Sequence, residues 1–201
     1  AGRVIGDPQP LPPPASGAQP AQASWVPSFD VPLGRGAVSG VYALRLDSET
    51  SGKSFFATFV VREDARRADL VVNRADYTDA AYNDWDGAGN GSSAYEGARW
   101  VSLDRPLRSV AVLCVYSYSS GYFVYEYPMV RWLESQGYDV KYVSDVDLDA
   151  RADVLAGARA FLSVGHDEYW SPAMRDHVEA ARDAGVHLGF FGSDAVDGRI
   201  R

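Results

Sequence analysis

The sequence predicts an α/β fold in which helices flank a mostly parallel sheet, with a short β region before it. Three observations support this prediction. From residue 67 onwards, strand-like apolar segments alternate with helical segments, which is typical of strand-helix-strand units with right-handed crossovers. Two of the helices carry recognisable start and stop signals. Before residue 67 the apolar segments are instead short, alternating and separated by turn residues.

The composition limits the classes of function. With 201 residues, 46% of them hydrophobic, the chain can bury a core and form one or two domains. The net charge of -8 disfavours nucleic acid and anionic membranes as main partners. No apolar run approaches the roughly 20 residues of a membrane helix, and no signal-peptide pattern opens the chain. The single cysteine says little about the compartment, and we expect a cytoplasmic protein.

Three domains are predicted. Residues 1–22 are a Pro-rich linker, because prolines at this density prevent helix and sheet interiors. Residues 23–66 are a partial β-sandwich segment with strands at 25–31, 40–46 and 54–61. Three strands cannot close a sandwich, so either the meander packs on the next domain or further strands are missing. Residues 67–201 form the α/β domain.

Within the α/β domain, the helices have the clearest signals. Pro128 is expected to begin a helix that runs to residue 136 and stops at Gly137, and Ser171 caps a helix from Pro172 to residue 184 that stops at Gly185. Residues 145–157 are expected to form an acidic, solvated loop with a weak helix. Residues 74–97 are expected to form a long polar loop, and loops of such length are usually functional. The predicted strands are 69–73, 100–103, 110–116, 138–143, 160–164 and 186–191.

Polar and aromatic side chains follow several of these strands. The segments 77–85, 122–127 and 165–170 should meet at one edge of a parallel sheet, where ligands bind in open α/β folds. The last of them carries His166, Asp167 and Glu168. Carboxylates and phenolates suit a hard, highly charged cation, which would lower the phenol pKa from its usual value near 10. Such a metal could polarise a carbonyl and activate water, with His166 as the proton carrier.

Each of these residues also has an ordinary structural explanation. The loop aromatics could be half-buried packing residues, and the acidic side chains lie near a helix start, where negative charge is favourable. His166 could bond the backbone, and Asn83 could be a turn residue. Cys114 lies in a predicted strand, so a thiol nucleophile is disfavoured. The sequence contains no Gly-x-Ser-x-Gly, Walker or Rossmann glycine pattern and no paired zinc-ligand spacing.

Several blocks of this sequence resemble one known family, the N,N-dimethylformamidase large (beta) subunit-like family. The resemblance covers roughly residues 24–201, and the blocks occur in the same order. The longest are EYPMVRWLE at 126–134, followed by GYDV at 137–140, and SVGHDEYWSP at 163–172; FVVRED at 59–64, AYN at 81–83 and VSLDRP at 101–106 accompany them. The resemblance implies a glutamine-amidotransferase-like α/β domain after an immunoglobulin-like β region.

The resemblance also implies a chemistry. It implies hydrolysis of the C-N bond of a small amide, such as N,N-dimethylformamide, at a mononuclear ferric ion. Carried over by motif, the metal ligands are Tyr82, Tyr127 and Glu168, with Tyr125 as the competing choice for the second tyrosine. His166 is the neighbouring acid/base or supporting group, and Glu168 and Asn83 are the other residues expected in the catalytic centre.

The chain departs from the family pattern in three places. Tyr77, Thr78, Asp79 and Ala80 replace the usual Thr-Trp-Gln, and residues 192–197 replace a Ser-Gly-Asn followed by an aromatic residue. Relatives also extend beyond both ends, so we expect a fragment that is a poor catalyst without the missing segments or a partner subunit. We also expect it to associate, as a homo-oligomer or with a small partner subunit. Two alternatives remain open: a non-catalytic binding or assembly module of the same family, and a carbohydrate-associated surface module.

Overall fold

A computed structural model of the chain describes residues 9–14, 16, 19–83, 85, 98–106 and 121–201. The chain forms two compact units. The first unit comprises Ala1–Ala37 and Ala80–Arg108, and the second, called the sheet unit below, comprises Val38–Asp79 and Ser109–Arg201. The three predicted domains, 1–22, 23–66 and 67–201, stay predictions. Among the described residues, no helix has both the length and the apolar character that membrane crossing requires.

The described chain contains eight strands and four α-helices, together with one π-helical and one 3₁₀ turn. The strands are β1 (Gly40–Asp47), β2 (Ser54–Val61), β3 (Leu70–Arg74), β4 (Val140–Ser144), β5 (Ala160–His166), β6 (Tyr169–Trp170), β7 (His187–Ser193) and β8 (Gly198–Arg199). The helices are α1 (Asp76–Tyr82), α2 (Tyr127–Ser135), α3 (Asp145–Ala150) and α4 (Pro172–Asp183), with the π-helical turn at Tyr122–Glu126 and the 3₁₀ turn at Ala152–Leu155.

A four-stranded sheet organises the sheet unit. Its strand order is β4-β3-β5-β7, and every neighbouring pair is parallel. The α/β fold with a mostly parallel sheet is therefore confirmed. β1 and β2 form a separate antiparallel hairpin, and β6 pairs with β8 in parallel. The immunoglobulin-like and glutamine-amidotransferase-like details of the predicted fold stay predictions.

Hydrophobic clusters lie on both faces of the parallel sheet, because successive residues of a strand point to opposite sides. On one face, Val71 and Phe161 belong to a cluster with Met174 and Val178 of α4. On the other face, Val72 and Leu162 belong to a cluster with Val130 and Leu133 of α2. Helices α2 and α4 therefore pack on opposite faces of the sheet.

The helix ends follow the local sequence signals. The Ser171 hydroxyl accepts a hydrogen bond from the Met174 amide at 3.1 Å, and Pro172 occupies the first helical position of α4. Gly137 and Gly185, with φ of +74° and +98°, follow α2 and α4. Such left-handed backbone is nearly free of strain only for glycine. These boundaries confirm the predicted starts and stops to within a residue or two.

Two predicted strands are not formed. At residues 25–31, the Val26 amide instead donates to Oε1 of Gln9 at 2.8 Å, and the Trp25 indole donates to the carbonyl of Pro10 at 2.6 Å. At residues 100–103, the Asp104 amide donates to the Ser102 hydroxyl at 3.0 Å, as in a turn. Side-chain partners of this kind compete with a strand ladder for the backbone groups. The predicted strand 110–116, with Cys114, lies outside the described residues.

Three segments expected to be loops contain helix. Residues 76–82 of the predicted long loop form α1, and residues 122–126 form a π-helical turn that continues into α2. The acidic segment forms α3, which Ser144 and Asp147 begin with reciprocal side-chain to backbone bonds of 3.1 and 3.0 Å. The helix expected within that segment is therefore confirmed, whereas its description as a solvated loop is wrong for Asp145, which is fully buried.

Candidate functional site

The turn after β5 presents a histidine and a carboxylate side by side. The Nε2 atom of His166 lies 3.1 Å from the Oε2 atom of Glu168. Their side chains are 20% and 14% exposed, so both are accessible while being mostly shielded from water. β5 ends at His166, and this places the pair at the carboxyl end of a central strand. The sequence predicted this location, and the structure brings these two predicted residues together.

Asp167, between them, points into the core. Its carboxylate accepts hydrogen bonds from the Trp170 indole at 2.7 Å, the Ser163 hydroxyl at 2.8 Å and the Asn73 side-chain amide at 3.1 Å. Burial raises the pKa of Asp167, although the three donors act in the opposite direction. These three hydrogen bonds hold the turn in one conformation. A movement of the turn would leave the buried donors without their acceptor, which costs free energy.

Asn73 links this turn to α3. The same side-chain amide donates to Oδ1 of Asp145 at 2.6 Å, and the other oxygen of Asp145 accepts from the Tyr77 amide at 2.8 Å. Burial raises the pKa of Asp145 well above its usual value, and the charge of Asp167 adds to this effect. Asn73, on β3, therefore joins two buried carboxylates that follow β4 and β5, the two strands on either side of β3. The sequence analysis did not connect Asn73 or Asp145 with the site, since only the pairing of β3 with β4 and β5 brings them together.

Helix α1 supports the turn from the other side. The Thr78 hydroxyl accepts hydrogen bonds from the backbone amides of Glu168 at 2.9 Å and Tyr169 at 3.2 Å, and Thr78 itself is buried. Thr78 belongs to the segment that departs from the family pattern. Its observed contacts are with the backbone of the turn.

A short segment after β7, residues 194–200, lies along the same turn, and we call it the strap. Its amides at Val196, Gly198 and Ile200 donate to three carbonyls of the turn at 2.9, 2.9 and 3.0 Å, those of residues 167, 168 and 170. Asp194 and Val196 have φ of 52° and 59°, a conformation that is unusual for residues other than glycine, especially for a β-branched one. Backbone strain of this kind often lies at functional sites.

A cavity of about 270 Å³ opens beside His166. Tyr125 forms part of its wall, and the centre of the Tyr125 ring lies 6.0 Å from that of His166. Gly165, with φ of +83°, permits this approach, because a Cβ atom there would lie 2.6 Å from Cβ of Tyr125. Among the described residues, Gly192, Ser193 and Asp194 complete the lining.

The two candidate tyrosines before Pro128 occupy different surroundings. Tyr125 lines the cavity, whereas the ring of Tyr127 lies 6.0 Å from that of Tyr122 and 6.3 Å from that of Phe123. Both are partly exposed, at 45% and 41%. Tyr125 is therefore the tyrosine next to His166, and the role of Tyr127 as a ligand stays a prediction.

Behind the π-helical turn lies a charge cluster that the sequence analysis missed. The buried guanidinium of Arg74 pairs with Glu126 at 2.9 Å and also with Asp79, while Asp76 lies 3.7 Å away. Burial raises the pKa of Glu126 to about 8, against the opposing effect of Arg74. These residues come from β3, α1 and the π-helical turn, and no sequence spacing joins Glu126 to the other three.

The remaining predicted residues, Tyr82 and Asn83, belong to the first unit. Asn83 is buried, its side-chain amide donates to the Pro106 carbonyl at 2.9 Å, and its side-chain oxygen accepts from the Trp85 amide at 3.3 Å. Arg105 donates to the carbonyl of Asn83 at 2.7 Å. These bonds fit a turn residue. Catalysis by Asn83 and metal binding by Tyr82, the last residue of α1, stay predictions.

The side chains of the sheet unit can be examined for atoms that would bind a ferric ion. Within the described ranges, no three His, Cys, Asp or Glu side chains converge in a way that could hold a metal ion. The Tyr125 phenol and the Glu168 carboxylate flank the same histidine, and such oxygen donors suit a hard trivalent ion. In this respect the residues present fit the implied ion.

Comparison with known protein families gives one match. The family described as N,N-dimethylformamidase beta subunit-like, C-terminal, matches residues 3–201. The chain belongs to this family. The resemblance noted in the sequence is thereby confirmed, and the family is named after a subunit of an amide-hydrolysing enzyme. A search of curated proteins gave no match.

Proposed function

We propose that this domain hydrolyses the C-N bond of a small amide, such as N,N-dimethylformamide, with the help of a mononuclear ferric ion. The observation that carries the proposal is the contact of 3.1 Å between His166 and Glu168 at the carboxyl end of β5, beside a cavity of about 270 Å³. Membership of a family named after an amide-hydrolysing enzyme supports this reaction class. A cavity of this size suits a small molecule.

Glu168 and a tyrosine are the proposed ligands in the sheet unit. The position of Tyr125 on the cavity wall supports it over Tyr127, and Tyr82 is retained as the other tyrosine on the resemblance alone. When bound, a ferric ion would act as a Lewis acid that polarises the amide carbonyl and lowers the pKa of water.

His166 is the proposed proton carrier. Its Nε2 atom contacts Glu168, and its ring faces the cavity that would hold the amide. It can accept a proton from the attacking water and deliver one to the departing amine nitrogen. Asp167, Thr78 and the strap hold the turn so that His166 needs little rearrangement.

The test is to measure bound iron and amide hydrolysis on the purified chain loaded with ferric iron. Glu168→Gln should remove most of the iron and the activity, because it replaces a charged ligand by a neutral one of the same size. Glu179→Gln, on the exposed face of α4, is the matched control and should change neither. Equal iron in the Glu168→Gln variant and the parent would contradict the proposed site.

The same measurements separate the alternatives. Bound iron without turnover would favour the non-catalytic module, and the absence of any bound iron would favour the carbohydrate-associated module.

The family's description as a subunit supports a further proposal, that the chain works with a partner subunit or as a homo-oligomer. Light scattering of the purified chain, alone and with a candidate subunit, tests this assembly.

A further inference from the structure

Arg74, the last residue of β3, contacts the π-helical turn at both of its ends. Its Nη1 atom donates to Oε1 of Glu126, the last residue of the turn, at 2.9 Å. Its guanidinium also lies over the ring of Tyr122, the first residue of the turn, with 5.5 Å between the guanidinium carbon and the ring centre. All three residues are buried, and both kinds of contact are stronger where water is excluded.

The pleat of β3 explains why Arg74 reaches this turn. Val72 and Arg74 share one face of the strand, because side chains alternate across a strand, and Val72 belongs to the same hydrophobic cluster as Tyr122. β3 lies between β4 and β5 in the sheet, so its carboxyl end is next to that of β5, which ends at His166. Arg74 therefore connects the centre of this sheet edge to the π-helical turn.

The π-helical turn presents Tyr125 to the cavity. The Tyr127 amide donates to the carbonyl of Tyr122, five residues earlier, and π-helical turns of this kind are rare and are often found at functional sites. Tyr125 is 45% exposed, so burial fixes its side chain only in part. The position of its ring, 6.0 Å from that of His166, therefore depends on the backbone of the turn.

We infer that Arg74 is a positioning residue, which holds Tyr125 beside His166 by fixing both ends of the π-helical turn. Arg74 is not among the described residues of the cavity wall, so it acts through Glu126 and Tyr122. The inference rests on the proposed function, because that function uses Tyr125 as a ligand of the ferric ion. Groups at a functional site lose much of their effect when the residues that support them are loose.

The charge cluster around Arg74 also has an ordinary structural explanation. Asp79 pairs with the same guanidinium, and Asp76 lies 3.7 Å from it, so the carboxylates would serve only to neutralise a buried charge. In that case the loss of either close partner lowers the stability and leaves Tyr125 in place in the folded chain. If Arg74 instead positions the turn, only the loss of Glu126 moves Tyr125.

The test detects the proximity of the two rings by NMR, on the complete chain without added metal. With ring centres 6.0 Å apart, protons of the Tyr125 and His166 rings should give a nuclear Overhauser cross peak in the parent. Glu126→Met removes the acceptor and retains the pair of Arg74 with Asp79, and the cross peak should be lost. Arg74→Met removes the donor and should have the same effect.

Two conservative variants are the controls. Glu126→Gln keeps a side-chain oxygen that can accept from Arg74, so it should retain the cross peak that Glu126→Met loses. Asp79→Asn removes the charge of the other partner and should also retain it. The amide resonances of α4, which packs on the opposite face of the sheet, report whether each variant is folded. If a single variant does not fold, the double variant Arg74→Met with Glu126→Met takes its place, because it leaves neither side of this hydrogen bond without its partner.

Three results would overturn the inference. The first is a parent without the cross peak, and the second is a folded Glu126→Met variant that keeps it. The third is an Asp79→Asn variant that loses the cross peak as completely as Glu126→Met does, since this would show that any disturbance of the charge cluster moves Tyr125.

Hydrolysis by the iron-loaded chain distinguishes this failure from failure of the proposed function. A cross peak that depends on Glu126, in a chain that hydrolyses no amide, would support the inference and contradict the proposed function. Hydrolysis by a chain whose cross peak persists in Glu126→Met would support the proposed function and overturn the inference.

Discussion

The Nε2 atom of His166 lies 3.1 Å from the Oε2 atom of Glu168, across a turn whose middle residue points into the core. The buried middle residue, Asp167, accepts hydrogen bonds from three side chains, while the side chains of its two neighbours are partly exposed. This alternation lets one short segment supply both the anchor of the turn and the reactive pair. It also allows the anchor and the pair to be tested separately.

Tyrosine ligation predicts a visible colour. If Tyr125 binds ferric iron, phenolate-to-metal charge transfer should give an absorption band in the iron-loaded chain. Tyr125→Phe should weaken or shift the band and keep the fold, because only a hydroxyl is lost. Tyr127→Phe is the control, since the ring of Tyr127 lies against Tyr122. A band that changes with Tyr127→Phe and not with Tyr125→Phe would assign the ligand to Tyr127 instead.

Loss of the buried anchor predicts a large loss of stability. Asp167→Ala would leave the donors of Asn73, Ser163 and Trp170 without their acceptor, and we expect a decrease of about 3 to 5 kcal/mol in the free energy of unfolding. Asp183→Ala, an exposed residue at the end of α4, should change it by about 0.5 kcal/mol or less. Urea denaturation measures both. Equal effects would show that the Asp167 bonds contribute little.

The close approach of Tyr125 to Gly165 predicts that an alanine at position 165 lowers the stability through a steric clash. The same substitution at a second glycine separates this clash from the backbone cost. Gly137→Ala changes a residue with φ of +74° and open space around it, so it measures the cost of left-handed alanine alone, about 1 kcal/mol. Gly165→Ala adds a clash, because its Cβ would lie 2.6 Å from that of Tyr125, and overpacking costs typically about 1 to 3 kcal/mol more. Thermal or urea unfolding compares the two; identical losses would argue against the tight contact.

The raised pKa of Glu126 predicts a pH dependence of stability. Burial raises this pKa from 4.5 to about 8 in the folded chain, so between these values the folded state binds the proton more tightly than the unfolded state. The free energy of unfolding should therefore decrease as the pH rises from about 5 to above 8. Glu126→Gln cannot titrate and should flatten this slope. Urea unfolding of the metal-free chain across this range, with exposed Glu179→Gln as control, measures it.

Much of the fold could be predicted because it depends on short-range signals. Pro128, Gly137, Ser171 with Pro172, and Gly185 each set a helix boundary through their own backbone preferences or side chains. The alternation of apolar strands and amphipathic helices indicated the parallel sheet. The parallel sheet then predicted the location of His166 and Glu168, because the loop after a parallel strand lies at the carboxyl edge of the sheet.

Only the tertiary structure decided the partners of the buried polar groups. Asn73 lies 72 residues before Asp145 and 94 before Asp167, and no sequence periodicity connects residues so far apart. The pairing of Arg74 with Glu126 likewise spans 52 residues. Such long-range contacts also hold α1 and the π-helical turn, and this explains why the sequence analysis expected both segments to be loops.

The sequence by itself determined the two hairpin strands, the four strands of the parallel sheet, the long helices, the family and the turn that carries His166 and Glu168, because these depend on residues close together along the chain. The tertiary structure alone decided that Asp167 is the anchor, that Tyr125 lies beside His166, and that the strap brings Asp194 to the cavity. The physical reason is that hydrogen bonds and cavity walls form between surfaces that meet only after the sheet has assembled its parallel strands.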